Sequence, residues 1–296
     1  MDHPRILIQF DSDPHASVFD AVVAVDSNVD HLLQYSNVEP TNVQALVHGA
    51  MFTRGITHLH HTAIFVGGSN VALGEAIAQE IRQTFFGPIR VSVMLDGNGA
   101  NTTAVAAVLC AARHVELSNM QAVVLGGTGP VGQRVARLLL AQGAGVDLVS
   151  RQLDRAEQAC QDVLRKIDAA HAPRLKPIAS IDGEALASSL GQCTAIFSCG
   201  AAGVTLLDEE QLAAASNARV AIDLNAVPPA GIVGIAATDK AVQRGERVDY
   251  GAIGVGGLKM KIHRESIATL FSRNDMFLDA EEILTIGQEL EAASMV

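Results

Sequence analysis

Residues 121–151 read QAVVLGGTGPVGQRVARLLLAQGAGVDLVSR. The segment begins with a short apolar run at residues 122–125, which is typical of a buried strand. Glycines then follow in the spacing G-x-G-x-x-G, and apolar residues recur at helical spacing as far as Gly143. Residues 146–149 indicate a second strand. A strand, a glycine turn, a helix and a strand within about thirty residues predict a dinucleotide-binding βαβ unit.

Each glycine of this turn has a predicted task. Gly127 would permit the tight turn out of the strand, Gly129 would let a pyrophosphate approach the backbone, and Gly132 would let helix and strand pack closely. The N-terminus of the helix offers free N–H groups and the positive end of its dipole to phosphates. The alternative, a glycine turn that binds nothing, stays open at this point. The predicted phosphate-binding residues are Gly127, Thr128, Gly129, Pro130, Val131 and Gly132.

The end of the second strand bears on the choice of cofactor. An NAD-binding unit usually has Asp or Glu there, which binds the ribose hydroxyls. This chain has Ser150 and Arg151 instead, with Arg155 one helical turn later. A guanidinium and a hydroxyl suit a 2′-phosphate, which an acid would repel. These three residues predict NADP rather than NAD, although Arg151 could also be a solvated surface arginine.

The composition limits the class of protein. The chain has 296 residues, of which 49% are apolar, enough for two domains with sizeable cores. A net charge of −11 argues against a nucleic-acid partner, which would select a basic surface. No apolar run approaches a membrane span, and the first residues do not resemble a signal peptide. Four scattered cysteines indicate reduced thiols, so we expect a cytoplasmic protein without a membrane partner.

The first third of the chain alternates between strand and helix patterns, which predicts an α/β unit with a mostly parallel sheet. Strands are expected at residues 6–10, 62–66 and 91–95, and each of them ends in a polar loop. Ligands of open α/β sheets bind at this carboxyl edge. The loops are Asp11-Ser12-Asp13, Gly67-Gly68-Ser69 and Asp96-Gly97-Asn98.

Two further segments of this unit have clear patterns. Ser17 is expected to cap a helix through residue 25, with Val18, Val22 and Val25 on one face. Residues 26–39 are polar and predict irregular structure. A helix rich in small residues, at about 101–113, then leads to the glycine turn.

The rest of the chain continues the nucleotide-binding sheet. Strands are expected at residues 195–198 and 220–224. Gly200 and Ala201 follow the first of them and would lie beside the nicotinamide, where small residues leave room; Asn225 follows the second and joins the predicted cofactor site. Residues 251–257, GAIGVGG, predict a flexible apolar loop. We expect two final helices, to about residue 271 and at 279–293, to return to the first domain.

Other kinds of chemistry have little support. His58, His60 and His61 are close in sequence, but no Cys or carboxylate joins them at ligand spacing, and we assign no metal. No G-x-S-x-G elbow and no cysteine nucleophile are present. By pattern alone, Lys259 and Lys261 would be surface lysines. The carboxylates of the polar loops would likewise be turn or capping residues.

Segments along nearly the whole chain resemble one family, the NADP-dependent methylene-tetrahydromethanopterin dehydrogenases of methylotrophic and related bacteria. The most specific are FFGPIRVSVMLDGNGANTT and GGLKMKIHR; the others are FDSDPHASVFDAVV, TAIFVGG, VVLGGTGPVG and DLNAVPPAGIVGIAATDK. The resemblance implies two α/β domains with an active-site cleft between them. We therefore expect a pterin-binding domain at residues 1–105 and 262–296, and a Rossmann NADP-binding domain at residues 106–261.

The same resemblance implies a function in C1 metabolism. Members transfer a hydride from methylene-tetrahydromethanopterin to NADP and form the methenyl cation, and some accept the tetrahydrofolate analogue. The first lysine of the GGLK segment is regarded as important in the family, and that position is Lys259 here. The family also implies a homo-oligomer, a trimer or a hexamer.

The chemistry suggests roles for the polar residues. Nitrogen lone pairs stabilise the product cation, so no general base is required and catalysis would rest on positioning and electrostatics. A carboxylate could bind the 2-amino and N3 edge of the pterin, while Lys259 could donate to its carbonyl oxygen or an adjacent nitrogen. The candidate catalytic residues are Lys259, Asp20 and Asp96, and the candidate substrate-binding residues are Asp11, Asp13, Asn98, Asn101, Thr102 and Lys259.

Two other functional classes stay open on the sequence. One is a related Rossmann enzyme: a shikimate-dehydrogenase-like protein, or a methylene-tetrahydrofolate dehydrogenase with or without cyclohydrolase activity. The other is a non-catalytic NADP-binding sensor. A cyclohydrolase would also hydrolyse the methenyl product, and a sensor would bind NADP without turnover of any C1-pterin.

Overall fold

A computed structural model describes residues 3–294 of the chain. The chain forms two compact units, with divisions between Thr102 and Thr103 and between Lys259 and Met260. The first unit contains both ends of the chain, and the second contains the glycine turn. Within the described residues, no helix combines the length and the hydropathy needed to cross a bilayer.

The first unit begins with alternating strands and helices. In chain order they are β1 (Ile6–Phe10), α1 (Val18–Asp26), β2 (His31–Tyr35), α2 (Val43–Phe52), β3 (Thr62–Val66), α3 (Val71–Thr84) and β4 (Ser92–Leu95). The predicted strands at residues 6–10 and 62–66 are confirmed. The prediction of irregular structure at residues 26–39 is wrong, because this segment contains β2. Most of β2 is exposed, so it lacks the alternation of buried and exposed residues that identifies a strand.

The chain then passes through the second unit and returns. The elements are α4 (Ala100–Ala112), β5 (Gln121–Leu125), α5 (Pro130–Ala141), β6 (Gly145–Ser150), α6 (Leu153–Leu164), β7 (Leu175–Ala179), α7 (Gly183–Gln192), β8 (Ala195–Ser198), α8 (Glu209–Ala214), β9 (Val220–Asp223), β10 (Val242–Arg244), β11 (Arg247–Gly251), α9 (Ala252–Thr269), β12 (Phe277–Leu278) and α10 (Ala280–Ala293). The unit division at Lys259 falls inside α9.

The sheet of the first unit is parallel throughout, in the order β2-β1-β3-β4-β12. The order reverses direction between β1 and β3, so their carboxyl ends flank a crevice where such sheets bind ligands. One face of the sheet is buried beneath α2 and α3, with Phe10 and Ile64 in the core beside Val47 and Ile77.

The second sheet has the order β10-β11-β9-β8-β5-β6-β7, and only β10 runs antiparallel. Its six parallel strands have the order of the doubly wound dinucleotide-binding fold, with the reversal between β5 and β8. The predicted fold class, two mostly parallel α/β sheets with a Rossmann-type unit, is confirmed.

Helix α1 begins as predicted but leaves its apolar face in solvent. The hydroxyl of Ser17 caps it by accepting a hydrogen bond from the backbone N–H of Asp20. The shared face of Val18, Val22 and Val25 is exposed, Val18 by 77%. Other residues of the helix, Val23 and Ala24, supply its buried contacts.

The prediction of a flexible loop at residues 251–257 is wrong. Helix α9 begins at Ala252 and runs through this stretch. Close packing requires glycine at two positions of this stretch: a Cβ atom at Gly251, the last residue of β11, would lie 2.0 Å from the carbonyl oxygen of Ala236, and one at Gly254 in α9 would lie 1.8 Å from that of Asp239. Glycine is therefore needed here because another backbone segment approaches closely, and it does not make the stretch a flexible loop.

Candidate functional site

In the glycine turn after β5, the structural roles of the individual glycines differ from the prediction. Gly126 has a φ of +65°, the left-handed region, so it makes the tight turn that we assigned to Gly127. A Cβ atom at Gly127 would instead lie 2.5 Å from Cγ of Leu148 in β6. Gly132 packs against the turn itself, because a Cβ atom there would lie 2.7 Å from Cα of Gly127.

Gly129 differs from these three glycines. A Cβ atom at this position would meet nothing closer than the carbonyl oxygen of Gly126 at 3.5 Å, an ordinary contact. Its backbone is extended, with φ of −77° and ψ of 165°, a conformation open to any residue. Protein packing therefore does not require glycine here, whereas a pyrophosphate lying against the backbone would.

The start of α5 suits a phosphate. Pro130 occupies the first turn, and no side chain caps the helix N-terminus at Gly129. The backbone oxygen of Thr128 accepts a hydrogen bond from the Gln133 side chain at 3.0 Å, which holds the turn in place. Val131 is half-buried behind it. The N–H groups and the helix dipole at this end are oriented to receive an anion.

The end of β6 presents two arginines beside a buried serine. Ser150 is the last strand residue and is buried, while Arg151 and Arg155 are exposed. Within residues 3–294, neither guanidinium has a hydrogen bond or ion pair with another group of the protein. Arg155 lies in the first turn of α6, next to Asp154, whose carboxylate accepts the backbone N–H of Arg155. Both guanidinium groups are available to a phosphate.

The loop after β8 lies directly against the glycine turn. A Cβ atom at Gly126 would lie 2.6 Å from Cα of Gly200, so this approach needs glycine at position 126, whereas a Cβ atom at Gly200 would meet the side chain of Leu206. Ala201 follows on the surface. Because β5 and β8 flank the reversal of strand order, the structure brings the predicted phosphate and nicotinamide residues to one place.

The side chain of Asn225 forms hydrogen bonds with backbone groups of the neighbouring loops. Its side-chain amide donates to the carbonyl oxygen of Pro229 at 2.8 Å and accepts from the backbone N–H groups of Val227 and Gly203, at 3.0 and 3.3 Å. The neighbouring carboxylate of Asp223 is buried and accepts from the backbone of Gly231. Sequence reasoning did not single out Asp223, although a carboxylate at the end of a buried strand is a signal for such a role.

In the first unit, the loops after β1 and β3 are joined. The buried carboxylate of Asp11 accepts the backbone N–H groups of Asp13 and Ser17, each at 2.9 Å. Asp13 in turn accepts two hydrogen bonds from Ser69. Gly68, with a φ of +97°, would place a Cβ atom 2.2 Å from Oγ of Ser12. These contacts therefore join the two loops at the strand reversal.

Asp20 joins this edge from helix α1. A Cβ atom at Gly67 would lie 3.3 Å from Oδ2 of Asp20 and 3.7 Å from Oδ2 of Asp11. Asn98 is exposed in the loop after β4, where its backbone N–H donates to the carbonyl oxygen of Gly68 at 2.7 Å. The structure thus brings these predicted residues together around Gly67 and Gly68.

Asp96, Asn101 and Thr102 lie in the interior instead. Asp96 accepts the backbone N–H groups of Asn101 and Thr102 at 2.8 and 3.1 Å, and the Thr102 hydroxyl at 2.6 Å. Asn101 donates to the carbonyl oxygen of Leu95 and to the carboxylate of Asp279, which caps α10. All three predicted residues are buried, and their hydrogen bonds hold the start of α4.

The two lysines of the GGLKMKIHR segment lie on α9. Lys259 is half-buried, whereas Lys261 is exposed. The two positions are about 200° apart around the helix, because each residue turns it by about 100°. Their different exposure agrees with different roles.

The histidines at residues 58, 60 and 61 lie on a short 3-10 helix (Ile56–His61). The rings of His3 and His58 are tilted by 57° with centroids 4.4 Å apart, and the ring centroids of His60 and His61 lie 4.0 Å apart. In the part of the chain that the structure describes, no group of three or more His, Cys, Asp or Glu side chains is arranged to hold a metal ion.

Comparisons with solved structures concern the fold alone. A 5-ketofructose reductase of Gluconobacter sp. strain CHM43 is 13% identical, with a TM-score of 0.52, and the match covers 97% of this chain and 99% of that chain. A shikimate 5-dehydrogenase from Listeria monocytogenes has the same identity, 13%, and the same TM-score, 0.52, over 98% and 97% of the two chains.

Comparisons of sequence identify the family. Residues 18–98 match the family model described as methylene-tetrahydromethanopterin dehydrogenase, N-terminal. A "Bifunctional protein MdtA" of Methylorubrum extorquens is 42% identical over 97% of this chain and 99% of its own length. An "NAD(P)-dependent methylenetetrahydromethanopterin dehydrogenase" of the same organism is 33% identical over 83% of this chain and 84% of its own. These matches confirm the predicted resemblance: the chain belongs to the methylene-tetrahydromethanopterin dehydrogenase family.

Proposed function

We propose that this protein is an NADP-dependent dehydrogenase that oxidises methylene-tetrahydromethanopterin to the methenyl cation in C1 metabolism. The observation that carries the proposal is Gly129, a glycine that protein packing does not require, in a turn at the strand reversal of a chain of this family. The name of one relative includes both NAD(P) and the pterin, which supports the same cofactor class and substrate.

The residues of the second unit fit the cofactor. Gly129 and the start of α5 would receive the pyrophosphate, and Ser150, Arg151 and Arg155 would bind the 2′-phosphate of NADP. Gly200 and Ala201 would leave room for the nicotinamide, while Asn225 would keep their loop in place through Gly203. When bound, the nicotinamide ring supplies the hydride acceptor.

The carboxyl edge of the first sheet is the proposed pterin site. Asp11 and Asp13 use their oxygens mainly to join the two loops. We assign the 2-amino and N3 edge of the pterin to Asp20, because its Oδ2 lies at the carboxyl edge of the sheet, 3.3 Å from the Cβ position of Gly67. In this proposal, Asp96, Asn101 and Thr102 act on the substrate indirectly, because they fix the start of α4.

Lys259 is the proposed orienting residue. Its ammonium would donate a hydrogen bond to the pterin carbonyl oxygen or an adjacent nitrogen, and it would stay away from the methylene carbon, where its charge opposes the product cation. The reaction needs no proton acceptor at this step, so the protein contributes by holding the reacting carbons at about 3–3.5 Å.

We also propose that the protein is a cytoplasmic homo-oligomer. The exposed valines of α1 support an interface, because contiguous apolar surface of this kind is typical of association sites. The four cysteines are free thiols, which agrees with a reducing compartment. A trimer or a hexamer would follow the family resemblance.

A spectrophotometric assay of NADP reduction tests the proposal. We expect turnover with methylene-tetrahydromethanopterin that exceeds turnover with methylene-tetrahydrofolate. A reversed preference would support the folate alternative, and NADP binding without any turnover would support a sensor. Hydrolysis of the methenyl product, assayed separately, would reveal a cyclohydrolase.

A further inference from the structure

A cluster of ion pairs around the buried carboxylate of Asp249 links two strands of the second unit to a turn. Asp249 of β11 is fully buried and accepts hydrogen bonds from Arg247 at 2.6 and 3.1 Å and from Arg244 at 3.0 Å. Arg244 also donates to Asp239 at 2.8 Å. The Arg244 guanidinium therefore connects the sheet to the segment that carries Asp239.

Asp239 closes a tight turn at residues 236–239. Its carboxylate accepts the backbone N–H of Ala236 at 2.8 Å, and its own N–H donates to the carbonyl oxygen of Ala236 at 2.9 Å. One carboxylate oxygen, Oδ2, receives both Ala236 and Arg244. The position of this turn thus depends directly on Arg244.

The turn forms the N-terminal cap of α9. The first N–H groups of a helix have no partner within the helix. Here the carbonyl oxygen of Ala237 accepts the N–H of Ile253 at 2.8 Å, and that of Asp239 accepts the N–H of Gly251 at 2.9 Å. Gly254 permits the contact, because a Cβ atom there would lie 1.8 Å from the Asp239 carbonyl oxygen.

Lys259 lies on the same helix, five residues after Gly254, or roughly 8 Å along its axis at 1.5 Å per residue. We propose that Arg244 is a positioning residue for Lys259: through Asp239 and the turn at 236–239, it fixes where α9 begins and so where the ammonium lies. This inference rests on the proposed function of Lys259. A displacement of about 1 Å in the position of the reacting groups lowers the rate on the order of 10²-fold.

Arg244→Gln tests the inference, and the fold should persist because Arg247 still pairs with Asp249 through two hydrogen bonds. We expect kcat to fall roughly 10- to 100-fold, with the Kd of NADP within about twofold of wild type. Amide hydrogen exchange should rise at residues 251–255 and stay unchanged in β5 and α5. Arg244→Lys, which keeps the charge, should recover part of the rate.

Two control variants, Arg219→Gln and Gly191→Ala, and a second test variant, Gly254→Ala, separate a positioning effect from general damage to the fold. Arg219→Gln removes an exposed pair with Glu246 and should change neither kcat nor exchange at 251–255. Gly254→Ala should reproduce the Arg244→Gln pattern without altering any charge. Gly191→Ala, at a helical glycine in α7 with open space around its Cβ position, should have no such effect.

Normal kcat in folded Arg244→Gln would overturn the inference, as would loss of NADP affinity or increased exchange throughout the second sheet. Failure of the proposed function has a different signature, because the wild-type protein itself would then not turn over the pterin. In that case the exchange data alone decide whether Arg244 fixes the start of α9.

Discussion

Asp13 accepts two hydrogen bonds from Ser69, one from its backbone N–H at 3.0 Å and one from its hydroxyl at 2.8 Å. These bonds join the loop after β1 to the loop after β3, on the two sides of the strand reversal in the first sheet. The relative position of the two loops in the proposed pterin site therefore depends on one carboxylate.

Ser69→Ala removes the hydroxyl and keeps the backbone donor. We expect the KM for methylene-tetrahydromethanopterin to rise about 2- to 10-fold, since this hydrogen bond to the Asp13 carboxylate is exposed to solvent and a typical net contribution is roughly 0.5–1.5 kcal/mol. Steady-state kinetics and NADP calorimetry measure the two effects, and Ser69→Thr, which keeps a hydroxyl, is the control. An unchanged KM would mean that the loops do not hold the pterin.

Gly129→Val places a side chain where we propose the pyrophosphate lies. The protein should fold, because the backbone is extended and the nearest atoms leave room, but NADP affinity should fall sharply. Gly127→Val is the contrast: its Cβ would meet Leu148, so it should lower the melting temperature. Calorimetry on folded Gly129→Val that gave wild-type NADP affinity would disprove the assignment.

Arg151→Ala should weaken NADP binding and leave NAD binding nearly unchanged. The loss of one charge-assisted hydrogen bond is worth roughly 1.5–3 kcal/mol, about 10- to 150-fold in Kd. Arg165→Ala, at another exposed arginine whose partner is Asp162, should affect neither cofactor. Equal losses for NADP and NAD would assign Arg151 a structural role.

Lys259→Ala should lower kcat strongly while the Kd of NADP stays near that of the wild type, because the lysine is expected to orient the pterin and not the cofactor. Lys261→Ala is the neighbouring control, exposed on α9. Near-normal turnover by Lys259→Ala would exclude the orienting role.

Thr102→Val tests whether the buried polar residues after β4 stabilise the fold or contact the substrate directly. The change leaves Asp96 without the hydroxyl that donates at 2.6 Å, so the free energy of unfolding should fall by about 1–3 kcal/mol. Urea denaturation measures it. A higher KM for the pterin at unchanged stability would instead support direct substrate contact by Thr102.

The parts that the sequence predicts well are those where local pattern and tertiary role agree. The apolar run of β5, the glycines and the amphipathic α5 all favour the same βαβ unit, and the alternation of strands and helices predicts two parallel sheets. The residues around Gly200 were brought to the glycine turn by strand order, which an α/β pattern largely determines.

The failures occur where tertiary contacts outweigh local pattern. Residues 251–257 contain four glycines and should weaken a helix, yet the turn at 236–239 caps their N–H groups and needs Gly251 and Gly254 for its approach. Likewise, Asp96 and Thr102 have the composition of a surface loop, but they are buried as partners of each other. Neither pairing can be deduced from residues that are adjacent in sequence.

The exposed valines of α1 have a consequence for how copies of the chain would associate. Each copy has a net charge of −11, so copies repel one another at low ionic strength. Salt screens this repulsion, with a Debye length of about 10 Å at 0.1 M, and leaves the attraction between apolar surfaces intact. Association through this face should therefore become tighter as salt is added, the reverse of an interface built from ion pairs.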